Sequence, residues 1–252
     1  MIRKLGSRRG REETGCFTAE GVRLVEEVLE SRWAVDFLAY TAAAAGSPRT
    51  AALLDRARAR GLQPVVLDER RMKSLSGTVT PQGVLAVVRR PARDWTELLD
   101  RSLSLVVILD GLQDPGNVGT VIRAADAAAC DGVVCLPGTS DPFGPKAVRS
   151  SMGSVLHLPV YTGVPAQDLS AGLVAQGVRL LVADPGGESV PAGEDLRGPV
   201  ALVLGSEARG PGASWQGLGV TRVRIPMPGR AESLNVALAA GVILYETVRQ
   251  RS

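Results

Sequence analysis

Cysteine, histidine and aromatic residues are all scarce in this chain. The three cysteines, Cys16, Cys130 and Cys135, are odd in number. An odd count argues against a disulfide framework. The only histidine, His157, lies in the apolar, strand-like run VLHLPV. A structural zinc site takes about four ligands. One histidine and a Cys130/Cys135 pair fall short of that, so no metal is expected, and all four residues are assigned buried or half-buried structural roles. Aromatics make up only 4% of the 252 residues, so the core must be built from Val, Leu, Ala and Ile. No apolar run approaches the roughly 18 residues of a membrane span. The basic start, MIRKLGSRRGR, leads into no apolar signal region, and the cytoplasm is the expected compartment.

Two ligand signatures are also missing. The first strand of the second half is followed by DGLQDPGNVGT, which does not match the GxGxxG of a dinucleotide fold. No GxxxxGK[ST] phosphate loop occurs either. Any cofactor must therefore be held by the glycine-bearing turns late in the chain.

What is present is ordinary for a globular protein: 45% hydrophobic residues, 22% charged, and a formal net charge of +3. The charge is unevenly placed. Arg3, Lys4, Arg8, Arg9 and Arg11 all precede the first acid, Glu12. Such a cluster can neutralise phosphates, or it can be a solvated, disordered tail; charge alone leaves both open.

The first half reads as a small α/β unit. Thr18 to Ser31 has helical apolar spacing at Val22, Val25, Val28 and Leu29, with Thr18 as its cap. Strands are expected at Ala34 to Tyr40, Pro64 to Leu67 and Gly83 to Val88. A helix is expected from Pro48 to Arg60, stopped by Gly61. Residues 93–103 read as a linker with a short helix. Continuous apolar runs then recur at Leu105 to Leu109, Gly132 to Leu136, Val178 to Ala183, Val200 to Leu204 and Val220 to Ile225. Alternating with helices, they predict a parallel α/β sheet.

Three blocks in the second half carry chemistry-bearing residues. In DPGNVGTVIRAADAA, Asn117 is placed to cap a helix running to about Cys130, with Val118, Ile122 and Ala125 inward. Gly119 would clear space beside Arg123 for a phosphate or sugar. In PVALVLGSEARGPG, a buried strand ends at Gly205 and Glu207 follows, at the strand end where open parallel sheets gather ligands. In IPMPGRAESLNVALAAGVILYE, Ser233 is the expected cap of the last helix. Asn235 falls in its first turn, Ile225 and Leu234 are apolar walls, and Leu238, Val242 and Tyr245 form its packing stripe.

Together with KAVRSSMGSVLHLPV at 146–160, these blocks resemble the SpoU/TrmH branch of the SPOUT methyltransferases, and the resemblance covers nearly all of 104–250. In the first half, AEGVRLVEEVL and TPQGVLAVV resemble the L30e-like RNA-binding domain of many members. The resemblance implies an L30e-like domain at 1–92 and, at 104–252, a parallel-sheet α/β domain with a trefoil knot. It implies an S-adenosylmethionine-dependent enzyme that methylates a ribose 2′-hydroxyl of RNA, with 23S ribosomal RNA the leading substrate and homodimerisation through the knotted domain. Residue by residue, Gly205, Ile225 and Leu234 match positions that contact the cofactor, and Leu204, Met227 and Gly229 stand beside them. Asn117, Arg123, Glu207, Ser233 and Asn235 match the polar catalytic set. An arginine resists deprotonation, which favours phosphate placement and oxyanion stabilisation for Arg123 over a role as base. A transfer-RNA methyltransferase and a catalytically silent RNA-binding factor remain as alternatives. The presence of Asn117, Arg123, Glu207 and Asn235 argues against the silent one.

Overall fold

A computed structural model of the chain describes residues 2–78, 80–206, 210, 212, 215 and 218–252. In chain order its elements are α1 (Arg8–Thr14), β1 (Cys16–Glu20), α2 (Val22–Glu30), β2 (Val35–Thr41), α3 (Ala42–Ala45), α4 (Pro48–Ala59), β3 (Val65–Leu67), α5 (Glu69–Leu75), β4 (Val84–Arg89) and α6 (Thr96–Leu99). There follow β5 (Leu105–Asp110), α7 (Pro115–Ala127), β6 (Gly132–Cys135), α8 (Pro145–Ser150), β7 (Val160–Thr162), α9 (Ala166–Ala175), β8 (Arg179–Ala183), β9 (Val200–Gly205), β10 (Thr221–Val223) and α10 (Val236–Arg251). The chain forms two compact units. One is Met1–Ala92 with Phe143–His157; the other is Arg93–Pro142 with Leu158–Ser252.

The first unit is a mixed sheet in the order β1-β4-β2-β3, with β4 antiparallel to both its neighbours. One face of the sheet carries Cys16, Ala39, Leu85 and Val87 against Leu5 and Met72. The helices α2 and α4 pack against each other, and α2 also lies on β1 and β4. Arg49 bonds Glu26 across these helices at 2.5 Å and holds the Glu26 carboxyl below its ordinary range.

Two expectations about this unit need correction, and one alternative left open is decided. Thr18 is not a helix cap: it sits in β1, in register with Val87. The helix starts at Val22 because Gly21 turns the chain at φ +99°, a conformation closed to threonine. The basic amino terminus is no loose tail. A short 3-10 turn at Ile2–Gly6 buries Leu5, and the buried Arg11 donates to the Leu5 carbonyl at 2.6 Å. Arg8 and Arg9 pair with Glu12 and Glu13, one helical turn on. His157 is in no strand. It follows a 3-10 turn, is exposed, and lies 3.1 Å from Glu27. The segment Phe143–His157, though it comes late in the sequence, packs within the first unit. Phe143 joins Phe17 and Trp33, and the Arg90 guanidinium covers its ring at 4.7 Å.

The second unit is a six-stranded parallel sheet, β10-β8-β9-β5-β6-β7. Its central strands are the continuous apolar runs. Leu105 to Leu109 are all buried, which only a strand covered on both faces requires. Leu98 and Leu103, from the stretch read as a linker, are buried in the same core as Val106, Ile108, Val182 and Val203. All three cysteines are buried.

Candidate functional site

The carboxyl ends of β8, β9 and β10 open onto a cleft of about 550 Å³. Its walls come from three turns. One is Leu204 to Ser206 with Gly210, where β9 ends and the Gly210 amide donates to the Ser206 carbonyl at 2.8 Å. The second is Val223 to Met227, leaving β10. The third is Glu232 to Val236, entering α10. Asp184 and Pro185, after β8, complete the rim. Asp184 is already engaged, accepting from the Gly186 amide at 2.8 Å and pairing with Arg222 at 3.2 Å.

Of the expected cofactor residues, Leu204, Gly205, Ile225, Met227 and Leu234 all line this cleft. Gly229 does not; it is exposed, and a Cβ there would meet nothing within 4 Å. Ser233 and Asn235 line the cleft too, but the cap role expected of Ser233 falls to Asn235. Asn235 is the cap of α10, its Oδ1 accepting from the amides of Ala237 at 2.9 Å and Leu238 at 3.4 Å. Ser233 lies two residues before that cap, outside the helix. An Asn side chain reaches the second and third amides from the cap position, and Ser233 is too far upstream to do so.

Asn117 is likewise not a cap. Asp114 caps α7, accepting from the Gly116 amide at 2.6 Å, and Pro115 fills the first helical position, where its missing N–H costs nothing. Asn117 therefore lies inside the first turn. Its Oδ1 accepts from Asn235 Nδ2 at 3.0 Å, which ties the starts of α7 and α10 together. The helix ends at Ala127, short of Cys130, because Ala129 turns to φ +53°. Arg123 is exposed on α7 whereas Gly119 is buried, so the two do not share an open face. Gly119 instead belongs to the buried side of a helix that packs on α10. Glu207 lies outside the described residues.

The stripe expected to pack α10 is also reversed. Ala237, Ala240, Ile243, Leu244 and Thr247 are buried, and Leu238, Val242 and Tyr245 are exposed.

A parallel sheet with its cleft at the strand ends is common to many enzymes. Comparison with known proteins decides among them. Residues 104–245 match the SpoU rRNA Methylase family, and residues 1–86 match the MRM3-like substrate binding domain. The chain belongs to the SpoU rRNA methylase family. A 23S rRNA (uridine(2479)-2′-O)-methyltransferase of Streptomyces viridochromogenes is 35% identical, over 98% of this chain and 87% of that one. The 23S rRNA (guanosine(2553)-2′-O)-methyltransferase RlmP of Bacillus subtilis is 34% identical, over 96% and 92%. The solved SpoU methyltransferase AviRb of S. viridochromogenes, in complex with the cofactor AdoMet, superposes with a TM-score of 0.87 at 31% identity, covering 99% of this chain and 97% of that one.

The cleft of this SpoU chain fits such a cofactor. Its volume is in the range of small-molecule sites. Leu204, Ile225, Met227 and Leu234 offer apolar walls for a purine, and the Gly205 to Ser206 turn offers backbone groups for polar edges. Among the described residues no cluster of metal-ligating side chains occurs. The sequence reading missed one residue of this region. Asp110, at the carboxyl end of β5, accepts from the Gly212 amide at 2.7 Å and the Trp215 indole at 2.8 Å. An acid ending a continuous apolar strand was the available signal.

Proposed function

We propose that this protein transfers a methyl group from S-adenosylmethionine to a ribose 2′-hydroxyl of RNA, with 23S ribosomal RNA as the substrate. The observation that carries this reading is the joining of the cleft to α7 by the Asn235–Asn117 bond, which brings Ser233, Leu234 and Asn235 beside the helix bearing Arg123.

When bound, the cofactor supplies an activated methyl, so the protein's task is alignment and the handling of one proton. Leu204, Gly205, Ile225, Met227 and Leu234 are assigned to hold the methyl donor. Asn117 and Asn235 fix each other's carboxamides at the cleft mouth, where they orient the ribose. Ser233, exposed on the same rim, offers a hydroxyl to that sugar. Arg123, exposed on α7, places phosphate and stabilises the developing oxyanion. Glu207 is assigned to the same catalytic set. The trefoil knot belongs to this reading, with the chain at 204–206 and the stretch 225–235 as its cofactor-bearing parts.

Residues 1–92 are assigned to RNA binding and 104–252 to methyl transfer. The exposed Leu238, Val242 and Tyr245 recur at helical spacing on one face of α10 and are assigned to contact with a second copy. A ribosomal substrate places the protein in the cytoplasm. Among the described residues no helix is long and apolar enough to cross a membrane.

Calorimetry with S-adenosylmethionine tests the cleft. Incubation with 23S ribosomal RNA and with transfer RNA, followed by mapping of 2′-O-methyl sites, tests the substrate. A single new site in 23S RNA is expected. Methylation of transfer RNA alone would overturn the substrate, and absence of cofactor binding would overturn the enzyme.

A further inference from the structure

Asp110 ends β5 in register with Gly205 of β9. It is half-buried, and it is not among the residues lining the cleft. One oxygen, Oδ2, accepts from the Gly212 amide at 2.7 Å and from Trp215 Nε1 at 2.8 Å. Gly212 approaches so closely that a Cβ at that position would stand 3.0 Å from the same oxygen. Trp215 is only 2% exposed, set in the apolar core with Val182, Val203 and Ala201. A buried indole N–H needs an acceptor, and Asp110 provides it. A charged acceptor strengthens both bonds.

The position of these two donors gives the contact its consequence. Ser206 and Gly210 form one wall of the cleft, and Ile225 and Met227 form another. Gly212 and Trp215 belong to the segment that runs from the first wall to β10 and thence to the second. A single carboxylate on the neighbouring strand thus anchors two residues that stand between the two walls in sequence.

We propose that Asp110 is a positioning residue for the methyl donor. By holding Gly212 and Trp215 it fixes two residues that stand in sequence between the Ser206 and Gly210 wall and the Ile225 and Met227 wall. It thereby sets cofactor affinity without touching the cofactor. This inference rests on the cleft being the S-adenosylmethionine site.

The test is calorimetric titration of S-adenosylmethionine into the full chain and into Asp110→Ala, Asp110→Asn, Trp215→Phe and the Asp110→Ala/Trp215→Phe double variant. Each is first checked for folding by circular dichroism. Wild-type binding tests the cleft itself; if the wild type does not bind, the cleft reading fails and not the role of Asp110. Asp110→Ala should weaken binding by at least roughly tenfold, the scale of a lost charge-assisted hydrogen bond. Its turnover with saturating cofactor and RNA should fall by less than about threefold, so the loss appears in KM and not in kcat. Asp110→Asn keeps an acceptor oxygen and should recover most of the affinity. Trp215→Phe keeps the ring and loses the N–H, and should weaken binding by about threefold; in the double variant the two losses should not multiply. A role confined to folding would lower the unfolding midpoint and leave the affinity of the folded protein unchanged. Binding by folded Asp110→Ala within about twofold of wild type would overturn the proposal, as would full multiplication of the two losses. If Asp110→Ala does not fold, Trp215→Phe decides: affinity within about 1.5-fold of wild type counts against the proposal, and a clear loss supports it.

Discussion

Asn235 does two jobs with two ends of one carboxamide, and a pair of substitutions separates them. Its Oδ1 caps α10 through the Ala237 and Leu238 amides, and its Nδ2 donates to Asn117. Asn235→Ala removes both. Loss of a cap costs about 1 kcal/mol, and loss of an exposed neutral hydrogen bond adds about 0.5 kcal/mol. The second unit should therefore lose about 1.5 kcal/mol, seen as a fall of roughly 0.5–1 M in the urea midpoint. Asn235→Asp behaves differently. Its carboxylate still caps the helix, and its charge suits the helix start by about 0.3–1 kcal/mol. It has no N–H, however, and presents an oxygen to Asn117 Oδ1. That repulsion offsets the gain, so stability should stay within about 0.5 kcal/mol of wild type. Methyl transfer should nevertheless fall by at least roughly a hundredfold, because the two carboxamides no longer hold each other at the cleft mouth. Urea unfolding gives the first quantity, and single-turnover methylation with saturating cofactor and RNA gives the second. An Asn235→Asp protein that is stable and fully active would refute the role of the Asn117–Asn235 bond. An Asn235→Ala protein with an unchanged midpoint would refute the cap.

Three further outcomes follow from the same structure. Arg123→Ala should slow single-turnover methyl transfer by at least roughly a hundredfold with little change in cofactor affinity, and Arg123→Lys should be nearly as poor because the planar fork of donors is lost; near-wild-type rates would remove Arg123 from the mechanism. The Cys130 thiol is pushed up to about 12, first by burial and then by the neighbouring Asp131. The folded state therefore holds this proton more tightly than the unfolded chain, whose thiol titrates near 9.0. This contribution is fully present below about pH 9 and lost as pH rises toward 12. Mass spectrometry after iodoacetamide treatment at pH 8 should find Cys130 modified at least roughly a hundredfold more slowly in native protein than in urea. Gly10→Ala should destabilise the first unit by about 2 kcal/mol or more, since the new Cβ would fall 1.9 Å from the Lys4 carbonyl oxygen. Unchanged denaturation would mean that the 3-10 turn at Ile2–Gly6 is not packed on α1.

The central strands of the second unit were legible because burial on both faces leaves no room for alternation. Leu105 to Leu109 and Val200 to Leu204 could be read directly as β5 and β9. β1 was not legible, because its pattern depends on β4, some seventy residues away. Cys16, Phe17 and Ala19 are buried against that strand, while Ala19 and Glu20 also extend the helical spacing of α2 backwards. Only the left-handed turn at Gly21 breaks the ambiguity. The amino-terminal arginines were ambiguous for a similar reason. Their charge was visible, but the burial of Leu5 and the Arg11 contact to its carbonyl are three-dimensional facts.

Seven of the expected residues (Leu204, Gly205, Ile225, Met227, Ser233, Leu234 and Asn235) line the cleft and Gly229 does not, but their offsets were not legible, and the offsets carry chemical content. A cap spends its side-chain oxygen on its own helix. Had Asn117 capped α7, its Oδ1 would be directed at the amides of that helix instead of at Asn235. Asp114 and Pro115 take over the start of the helix and leave Asn117 in the first turn, where it meets a residue 118 positions later in the chain. At α10 the opposite choice is made: Asn235 caps with its oxygen and keeps its nitrogen for Asn117, while Ser233 stays on the rim of the cleft. An asparagine divides its carboxamide in this way, with the oxygen accepting at one end and the N–H₂ donating at the other. The same economy explains why Asp110 escaped notice. Its neighbours in sequence bear no relation to its role, which is defined by Gly212 and Trp215 more than a hundred residues on. In this fold the residues assigned to the cleft announce themselves by motif, and the residue proposed to hold the cleft in shape is found only by asking where a buried indole N–H finds its acceptor.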